Sequence, residues 1–182
     1  MPQGVNLPNS LTVFRIFLTP FLLGLIVYGK MREAFWCFLI GSLSDALDGM
    51  MARLLGQKTD LGRFLDPAAD KILLSTTLLT LVVLGKIPVW IAIALVSRDM
   101  IIVFGVVVLR LVDTPIPINP TGLGKLSTTL EMIYLFLVLS GLAGYAHISG
   151  VELIGDFAVV LSLISGGYYV SQGFLWYQHY RE

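Results

Sequence analysis

The sequence predicts an all-α integral membrane protein with six transmembrane helices. Of its 182 residues, 56% are hydrophobic and only 13% are charged, and the mean hydropathy is +0.84. This balance is atypical of soluble domains and typical of membrane proteins with several spans. The formal net charge is zero. The chain therefore has no general basic field to attract nucleic acid, and membrane lipid is the expected surrounding.

Six apolar stretches are long enough to cross the hydrocarbon layer, which takes about 20 helical residues. The breaks between them contain glycine, proline and charged residues, which are typical of turns. We expect one integral membrane domain over residues 1–182, with a short interfacial segment at residues 1–10. The six predicted spans are Leu11 to Tyr28, Ala34 to Leu55, Asp66 to Leu84, Pro88 to Leu111, Leu123 to Leu142 and Leu153 to Trp176.

The distribution of basic residues predicts the orientation in the membrane. Cytoplasmic loops carry an excess of Lys and Arg. We therefore expect both termini, and the loops after the second and fourth spans, to face the cytoplasm. The basic residues on that side are Arg53, Lys58, Arg63, Lys71, Arg110, Lys125 and Arg181, whereas the opposite side has Lys30, Arg32 and Lys86.

The candidate site lies in the stretch DALDGMMARLLGQKTDLGRFLDPAAD, from Asp45 to Asp70. Five of its residues have the spacing i, i+3, i+4, i+7 and i+8, which places them on one face of a helix. They are Asp45, Asp48, Gly49, Ala52 and Arg53.

Two more carboxylates begin the third predicted span. Asp66 and Asp70 are four residues apart and share a helix face, and Pro67 suits a first helical turn, where its missing N–H is harmless. A short connection through Gly56 and Gly62 would fold the second and third spans into an antiparallel hairpin. The four carboxylates would then converge.

Such a cluster needs a counter-charge, because one ionised Asp in the bilayer costs about 2.5–3.5 kcal/mol. The nearby cations are too few. Carboxylate oxygens favour a hard divalent ion, so we expect Mg²⁺ or Mn²⁺, as one or two ions. A hard ion held beside small residues and a basic side chain is suited to binding a phosphate or pyrophosphate.

The motif D-x2-D-G-x2-A-R-x8-G-x3-D-x3-D, which begins at Asp45, resembles the complete signature of the CDP-alcohol phosphotransferases. Further segments resemble the branch of that family that contains the phosphatidylglycerophosphate synthases and cardiolipin synthases. These segments are PNSLTVFRIFLTP, FLDPAADK, VSRDMIIVFG and GLGKLSTTLEM, so the resemblance extends over most of the chain.

The resemblance implies a six-helix, usually homodimeric enzyme that transfers a phosphatidyl group from CDP-diacylglycerol to an alcohol and releases CMP. Its expected place is the bacterial inner membrane, with the active site facing the cytoplasm. By resemblance, Asp70 would also be the general base for the acceptor hydroxyl. The implied metal ligands are Asp45, Asp48, Asp66 and Asp70, and the implied CDP-binding residues are Gly49, Ala52, Arg53 and Gly62.

The acceptor is expected to carry a phosphate, because two further cations occupy unusual positions. Arg98 lies within the fourth span and Lys125 opens the fifth. An arginine inside a membrane span indicates a functional site. In the resembled branch these positions hold the acceptor's phosphate, and Arg15 and Thr128 are additional candidates.

Two acceptors fit this pattern. Glycerol 3-phosphate is the first interpretation, from the PNSLTVFR segment and the chain length. Phosphatidylglycerol is the alternative, because VSRDM and the preceding IPVW also resemble cardiolipin synthases.

Other interpretations compete with these assignments. Arg98 could instead form a structural pair with Asp99 or Glu131. A transporter would also place charges in the membrane, but it usually has two repeated halves. The carboxylate cluster is confined to the second and third spans, with no counterpart in the fifth and sixth. This pattern favours an enzyme.

Overall fold

The computed structural model describes the backbone of residues 7–54, 60–111, 122–146 and 149–181, and the side chains of residues 12–44, 68–105, 108, 122–146 and 149–173. Regular secondary structure in these residues is entirely α-helical, which confirms the predicted all-α, six-helix architecture. The helices are α1 (Leu7–Val27), α2 (Met31–Leu54), α3 (Asp60–Val83), α4 (Val89–Leu111), α5 (Gly122–Leu142) and α6 (Val151–Arg181).

Helices α1, α3 and α5 end in the same way, each just before a glycine with positive φ. At Gly29 (φ 73°) the amide donates to the Ile26 carbonyl at 3.0 Å, and the Lys30 amide donates to the Leu25 carbonyl at 2.9 Å. Equivalent bonds form at Gly85 and Gly144. This arrangement is a Schellman motif, which satisfies the last helical carbonyls and favours glycine. The breaks predicted at these three glycines are confirmed.

Two predicted helix starts are wrong by a turn or more. Helix α3 begins at Asp60 and not at Asp66, so Pro67 lies within the helix and not in its first turn. Helix α1 begins at Leu7, within the expected interfacial segment, and residues 1–6 lie outside the described part. Hydropathy marks where apolar residues begin, whereas α3 starts within a stretch of mixed polarity whose Leu61, Arg63 and Leu65 are good helix formers. Helices therefore extend beyond their apolar spans.

The chain forms two compact units, of which the first comprises Met1–Lys86 and Leu135–Ile148. Helix α1 packs along both α2 and α3, while direct contact between α2 and α3 is sparse. Helix α1 therefore contributes more to joining them than a direct α2–α3 interface does. Fully buried side chains in this unit include Leu22, Ile26, Phe38, Leu73, Leu78 and Leu81.

Gly41 marks a close approach of α1, α2 and α3 in the first unit. A Cβ atom at this position of α2 would lie 3.1 Å from Leu18 Cδ2 on α1 and 3.1 Å from Leu73 Cδ2 on α3. Such distances are tighter than ordinary packing, so a side chain here would push the helices apart. The contact also fixes the register: Leu18, Gly41 and Leu73 lie at one level.

The end of α5 is tied to the start of α2 within the same unit. Arg32 Nε donates to the Ala143 carbonyl at 3.3 Å, and Trp36 Nε1 donates to the Tyr145 hydroxyl at 2.9 Å. The rings of Phe35 and Tyr145 pack with centroids 5.1 Å apart. These contacts lie nine or more residues from Asp45 along α2, so they stabilise the unit away from the predicted site.

The second unit comprises Ile87–Tyr134 and Ser149–Glu182, and α4 packs along α6 within it. The packing is close at Gly155 on α6. A Cβ atom there would lie 2.7 Å from Tyr134 Cε2 and 3.1 Å from Ile91 Cδ1. Helix α5 contributes its first part to this unit and its second part to the first unit. The single catalytic domain expected over residues 1–182 stays a prediction.

Large apolar side chains point outward on the helices of both units. Among the described residues, two helical segments are long and apolar enough to cross a bilayer, Gly122–Leu142 and Val151–Gly173, and Thr12–Val27 is a shorter apolar helix. Exposed apolar surface of this extent is typical of a face that meets lipid. Its most exposed members include Phe17, Phe21, Val83, Ile93, Phe104 and Leu153.

Candidate active site

The predicted acidic residues lie on α2 and α3. The α2 backbone is helical through Leu54, as the spacing argument requires, and Asp66 and Asp70 both lie on α3. Only Asp70 has a described side chain. The side chains of the other predicted residues in this stretch lie outside the described residues, and their roles stay predictions. They are Asp45, Asp48, Gly49, Ala52, Arg53, Gly62 and Asp66.

Asp70 is half-buried on the inner side of the first unit. It lies one helical turn before Leu73, which is fully buried against α1 and α2. Asp70 takes part in a hydrogen-bonding or electrostatic interaction, as does the neighbouring Lys71. A carboxylate in this position is shielded from the bulk but not sealed, which suits a group that must meet a substrate.

The expected metal site lies mostly outside the described side chains. Within the described side chains, no group of three or more His, Cys, Asp or Glu residues could hold a metal ion, and three of the four predicted ligands lie outside that set. The chemistry of the donors fits Mg²⁺ or Mn²⁺, because all four are carboxylates. The metal stays a prediction.

Arg98 on α4 is 5% exposed and makes three polar contacts within the second unit. Its NH1 donates to Asp99 Oδ1 at 2.7 Å, and its NH2 donates to Ser165 Oγ at 3.2 Å and to the Gly124 carbonyl at 3.4 Å. The structural pair with Asp99 that the sequence left open is therefore present. Arg98 Nε is buried with no hydrogen-bond partner, so the guanidinium keeps unused donor capacity.

Arg98 borders an open cavity of about 570 Å³ between α4 and α6. The lining is mostly apolar and includes Ile101, Leu163 and Val170, with Gly166 beside the arginine. A Cβ atom at Gly166 would lie 3.4 Å from Arg98 Cγ, so the glycine lets α6 pack closely against the arginine stem. The aliphatic part of the Arg98 side chain packs against the glycine, while the guanidinium extends to its polar partners.

The start of α5 brings the other acceptor candidates close to Arg98. The Gly124 carbonyl accepts from both Arg98 NH2 and Thr128 Oγ1, the latter at 3.2 Å. Lys125 follows Gly124 directly and is exposed. The structure therefore places Arg98, Lys125 and Thr128 around one helical turn, although their proposed role in binding a phosphate stays a prediction. Arg15 lies in the first unit, where it is fully buried.

Sequence reasoning missed Ser165 and Gly124 as partners of Arg98. Both are distant in sequence from position 98, and only packing brings them together. One signal could have identified Ser165. It opens the run Ser165-Gly166-Gly167 in an apolar helix, and small residues of this kind mark close helix approach in membranes.

The fold and these charges describe an all-helical membrane protein in which polar side chains lie on the inner faces of its helices. A family model described as CDP-alcohol phosphatidyltransferase matches residues 5–166. The chain belongs to this family, as its motif predicted.

The chain is similar to relatives that are named for two related reactions. The probable phosphatidylglycerophosphate synthase of Mycobacterium tuberculosis (strain H37Rv) is 33% identical over 174 residues, which cover 92% of this chain and 81% of that protein. The CDP-diacylglycerol–glycerol-3-phosphate 3-phosphatidyltransferase of Bacillus subtilis (strain 168) is 32% identical over 92% of this chain and 94% of its own length. The CMP-forming cardiolipin synthase of Streptomyces coelicolor is 34% identical over 78% of this chain and 68% of its own length.

Proposed function

We propose that the protein transfers the phosphatidyl group of CDP-diacylglycerol to glycerol 3-phosphate, giving phosphatidylglycerophosphate and CMP. One observation carries the choice of acceptor. The similarity to relatives named for this reaction covers 92% of the chain, whereas the similarity to the Streptomyces cardiolipin synthase covers 78%. The proposal thus rests on likeness along nearly the whole chain as well as on the motif.

In this proposal Asp70 is the general base. It accepts the proton of the acceptor hydroxyl as that oxygen attacks the β-phosphorus of CDP-diacylglycerol, and CMP leaves. The half-buried position of Asp70 supports the role, since a base must be reachable yet held in place. Gly49, Ala52, Arg53 and Gly62 would surround the CDP moiety.

Asp45, Asp48, Asp66 and Asp70 would hold Mg²⁺ or Mn²⁺, as one or two ions. When bound, the metal offsets the charge of the pyrophosphate and stabilises the leaving group. The carboxylates themselves orient the donor relative to the base.

Arg98 and Lys125 would bind the phosphate of glycerol 3-phosphate. The unused Nε donor of Arg98 supports this role, because a buried arginine with spare donors is suited to an anion. Asp99, Ser165 and the Gly124 carbonyl would hold the guanidinium in position while it does so.

We further propose that the enzyme acts as a homodimer in the bacterial inner membrane, with its active site facing the cytoplasm. The excess of basic residues around the α2–α3 and α4–α5 connections supports that orientation. Its substrate CDP-diacylglycerol would enter from the lipid, and glycerol 3-phosphate from the cytoplasm.

Cardiolipin synthesis is the second candidate function. It is favoured by the relatives that carry that name, and the acceptor would then be phosphatidylglycerol. The same two cations would bind its phosphate.

The deciding experiment measures CMP release by the purified protein in liposomes with Mg²⁺ and CDP-diacylglycerol. Glycerol 3-phosphate and phosphatidylglycerol are supplied separately, and glycerol serves as the control without a phosphate. Turnover with glycerol 3-phosphate alone is expected. CMP release with phosphatidylglycerol alone would replace the proposal with cardiolipin synthesis.

A further inference from the structure

The first turn of α5 collects positive charge. A helix N-terminus carries about half an elementary positive charge, which acidic residues in the first turn often offset. The first turn of α5, which starts at Gly122, has no acidic residue and is followed at once by the exposed Lys125. A cation at this end of a helix is unfavourable by itself, so this arrangement favours a bound anion.

Arg98 on α4 brings a second cation to the same turn. Its NH2 donates to the Gly124 carbonyl at 3.4 Å, so the guanidinium lies against the third residue of α5. The residue is only 5% exposed, and its Nε is buried with no hydrogen-bond partner. A buried guanidinium that keeps an unused donor beside a helix N-terminus is a second, independent indication of an anionic ligand.

The nearest carboxylates do not balance this charge. Asp99 pairs with Arg98 NH1 at 2.7 Å and offsets one of the two cations. Glu131 is buried on α5 and takes part in an interaction, but it lies nine residues after Gly122, about 13 Å farther along the helix axis. It is therefore beyond the first turn, within which the helix dipole acts.

Helix α6 adds no charge at this level. Its contact with Arg98 is made by the neutral Ser165, whose Oγ accepts from NH2 at 3.2 Å. The described acids of α6, Glu152 and Asp156, lie nine or more residues before Ser165. Two cations and the helix dipole thus face one adjacent carboxylate, which leaves an excess of about one and a half positive charges.

We infer that the first turn of α5, together with Arg98 and Lys125, is a site for a dianionic phosphate monoester and discriminates against phosphate diesters. This inference deepens the proposed function and rests on its acceptor site. A monoester such as glycerol 3-phosphate carries a charge of about −1.5 to −2 at pH 7, which matches the excess. The diester of phosphatidylglycerol carries a single negative charge. The charge at the end of α5 therefore gives a physical reason for the choice of acceptor, separate from sequence similarity.

Calorimetric titration of the whole protein in detergent tests the charge preference without turnover. The two probes are glycerol 3-phosphate and its methyl ester, which has the same glycerol but is a diester. CDP-diacylglycerol is omitted, and EDTA is present so that no metal binds either probe. At about pH 7.5 the monoester should bind at least about tenfold more tightly, since it offers one more charged oxygen. Equal affinities, or no binding of the monoester, would overturn the inference.

The pH dependence of binding separates charge from shape. The monoester loses its second charge with a pKa of about 6, whereas the diester does not titrate in this range. Lowering the pH from about 7.5 to about 5 should therefore weaken glycerol 3-phosphate binding about tenfold and leave its methyl ester within about twofold. Protonation of Asp99 or Glu131 would act in the opposite direction, because it removes negative charge near both probes. Unchanged or tighter binding of the monoester at the lower pH would overturn the inference.

Two variants at Gly122 test the contribution of the helix end. A Cβ atom there meets no atom within 4 Å, and Asp and Asn have similar shapes that both suit a helix start. Gly122→Asp adds a negative charge and should raise the KM for glycerol 3-phosphate at least about fivefold, while its Tm stays equal or rises slightly. Gly122→Asn should change the KM less than about twofold. Equal KM values in the two variants would overturn the role of the helix end.

The inference and the proposed function fail in different ways. If glycerol 3-phosphate binds more tightly than its methyl ester but supports no CMP release, the proposed reaction is wrong and the monoester site stands. If CMP is released with glycerol 3-phosphate while both probes bind equally, the reaction stands and the inference is overturned.

Discussion

Each of the two compact units contains a buried arginine, and the surroundings of the two arginines differ. In the second unit Arg98 pairs with the acid next to it in sequence, and a serine and a carbonyl accept its remaining described bonds. In the first unit Arg15 is fully buried on α1, and neither of its neighbours in sequence is an acid. The charge of Arg98 is balanced by the adjacent residue, and its Nε keeps a spare donor, whereas Arg15 has no acid beside it in sequence. The residue proposed as the base, Asp70, lies in the first unit, and the residues proposed to bind the acceptor, Arg98 and Lys125, lie in the second.

Removing the proposed metal should have the largest effect, because the ion would be held by all four carboxylates predicted to bind it in the first unit. EDTA is expected to lower CMP release by at least about 10³-fold, as the pyrophosphate charge is no longer offset. Excess Mg²⁺ or Mn²⁺ should restore the rate, and EDTA already saturated with Mg²⁺ is the control. Full turnover in the presence of metal-free EDTA would contradict the predicted metal site in the first unit.

Asp70→Asn should lower kcat about 10²- to 10⁴-fold, the range expected when a general base is lost. The variant should remain folded, which its Tm in detergent will show. Asp156→Asn is a matched control, because Asp156 is an exposed acid on α6 in the second unit. Substantial activity in Asp70→Asn would exclude Asp70 as the base and weaken the division of roles between the units.

Arg98→Ala should act on one substrate only. We expect the KM for glycerol 3-phosphate to rise by at least about tenfold, as one charge-assisted contact is lost, and the KM for CDP-diacylglycerol to change less than about twofold. Arg98→Lys retains the charge but lacks the planar fork that bonds Asp99 and Ser165 together. It should therefore recover part of the affinity. Equal increases in both KM values would mean that Arg98 is purely structural.

The number of helices could be predicted from sequence because apolar length is a direct consequence of bilayer thickness. Helix ends were predictable where a glycine terminates the helix, as at Gly29 and Gly85. The start of α3 was not, because the residues from Asp60 to Leu65 are mixed in polarity and hydropathy does not detect a helix there.

In both units the sequence indicated candidate residues of the site but not how they are packed. Motif spacing indicated Asp70 as a candidate site residue, and an arginine within a predicted span indicated Arg98; their roles stay predictions. The bond from Arg98 to Ser165 was not predictable, because it depends on how α4 and α6 pack. The burial of Arg15 was equally hidden, since a sequence shows that an arginine lies in an apolar run but not which helices surround it.

The smallest effects should come from Gly→Ala substitutions at positions that set helix spacing. One such position in each unit allows the two units to be compared directly. Gly155→Ala would place Cβ 2.7 Å from Tyr134 Cε2 in the second unit, and overpacking of this kind costs about 1–3 kcal/mol. A Tm lower by about 2–10 °C is expected. Gly167→Ala on the same helix meets open space and should leave the Tm unchanged or slightly higher.

Gly41→Ala makes the corresponding change in the first unit, where the two nearest atoms are 3.1 Å away and belong to leucine side chains. Its Tm loss should be smaller than that of Gly155→Ala, because leucine side chains adjust more easily than a tyrosine ring. Its effect on kcat should be larger, since Gly41 lies one turn from Asp45 and sets the spacing of the helices that carry the aspartates. Gly24→Ala on α1, which meets no atom within 4 Å, is its control. If both packing variants changed kcat equally, proximity to the carboxylates would not explain the loss, and the chemistry would not be confined to the first unit.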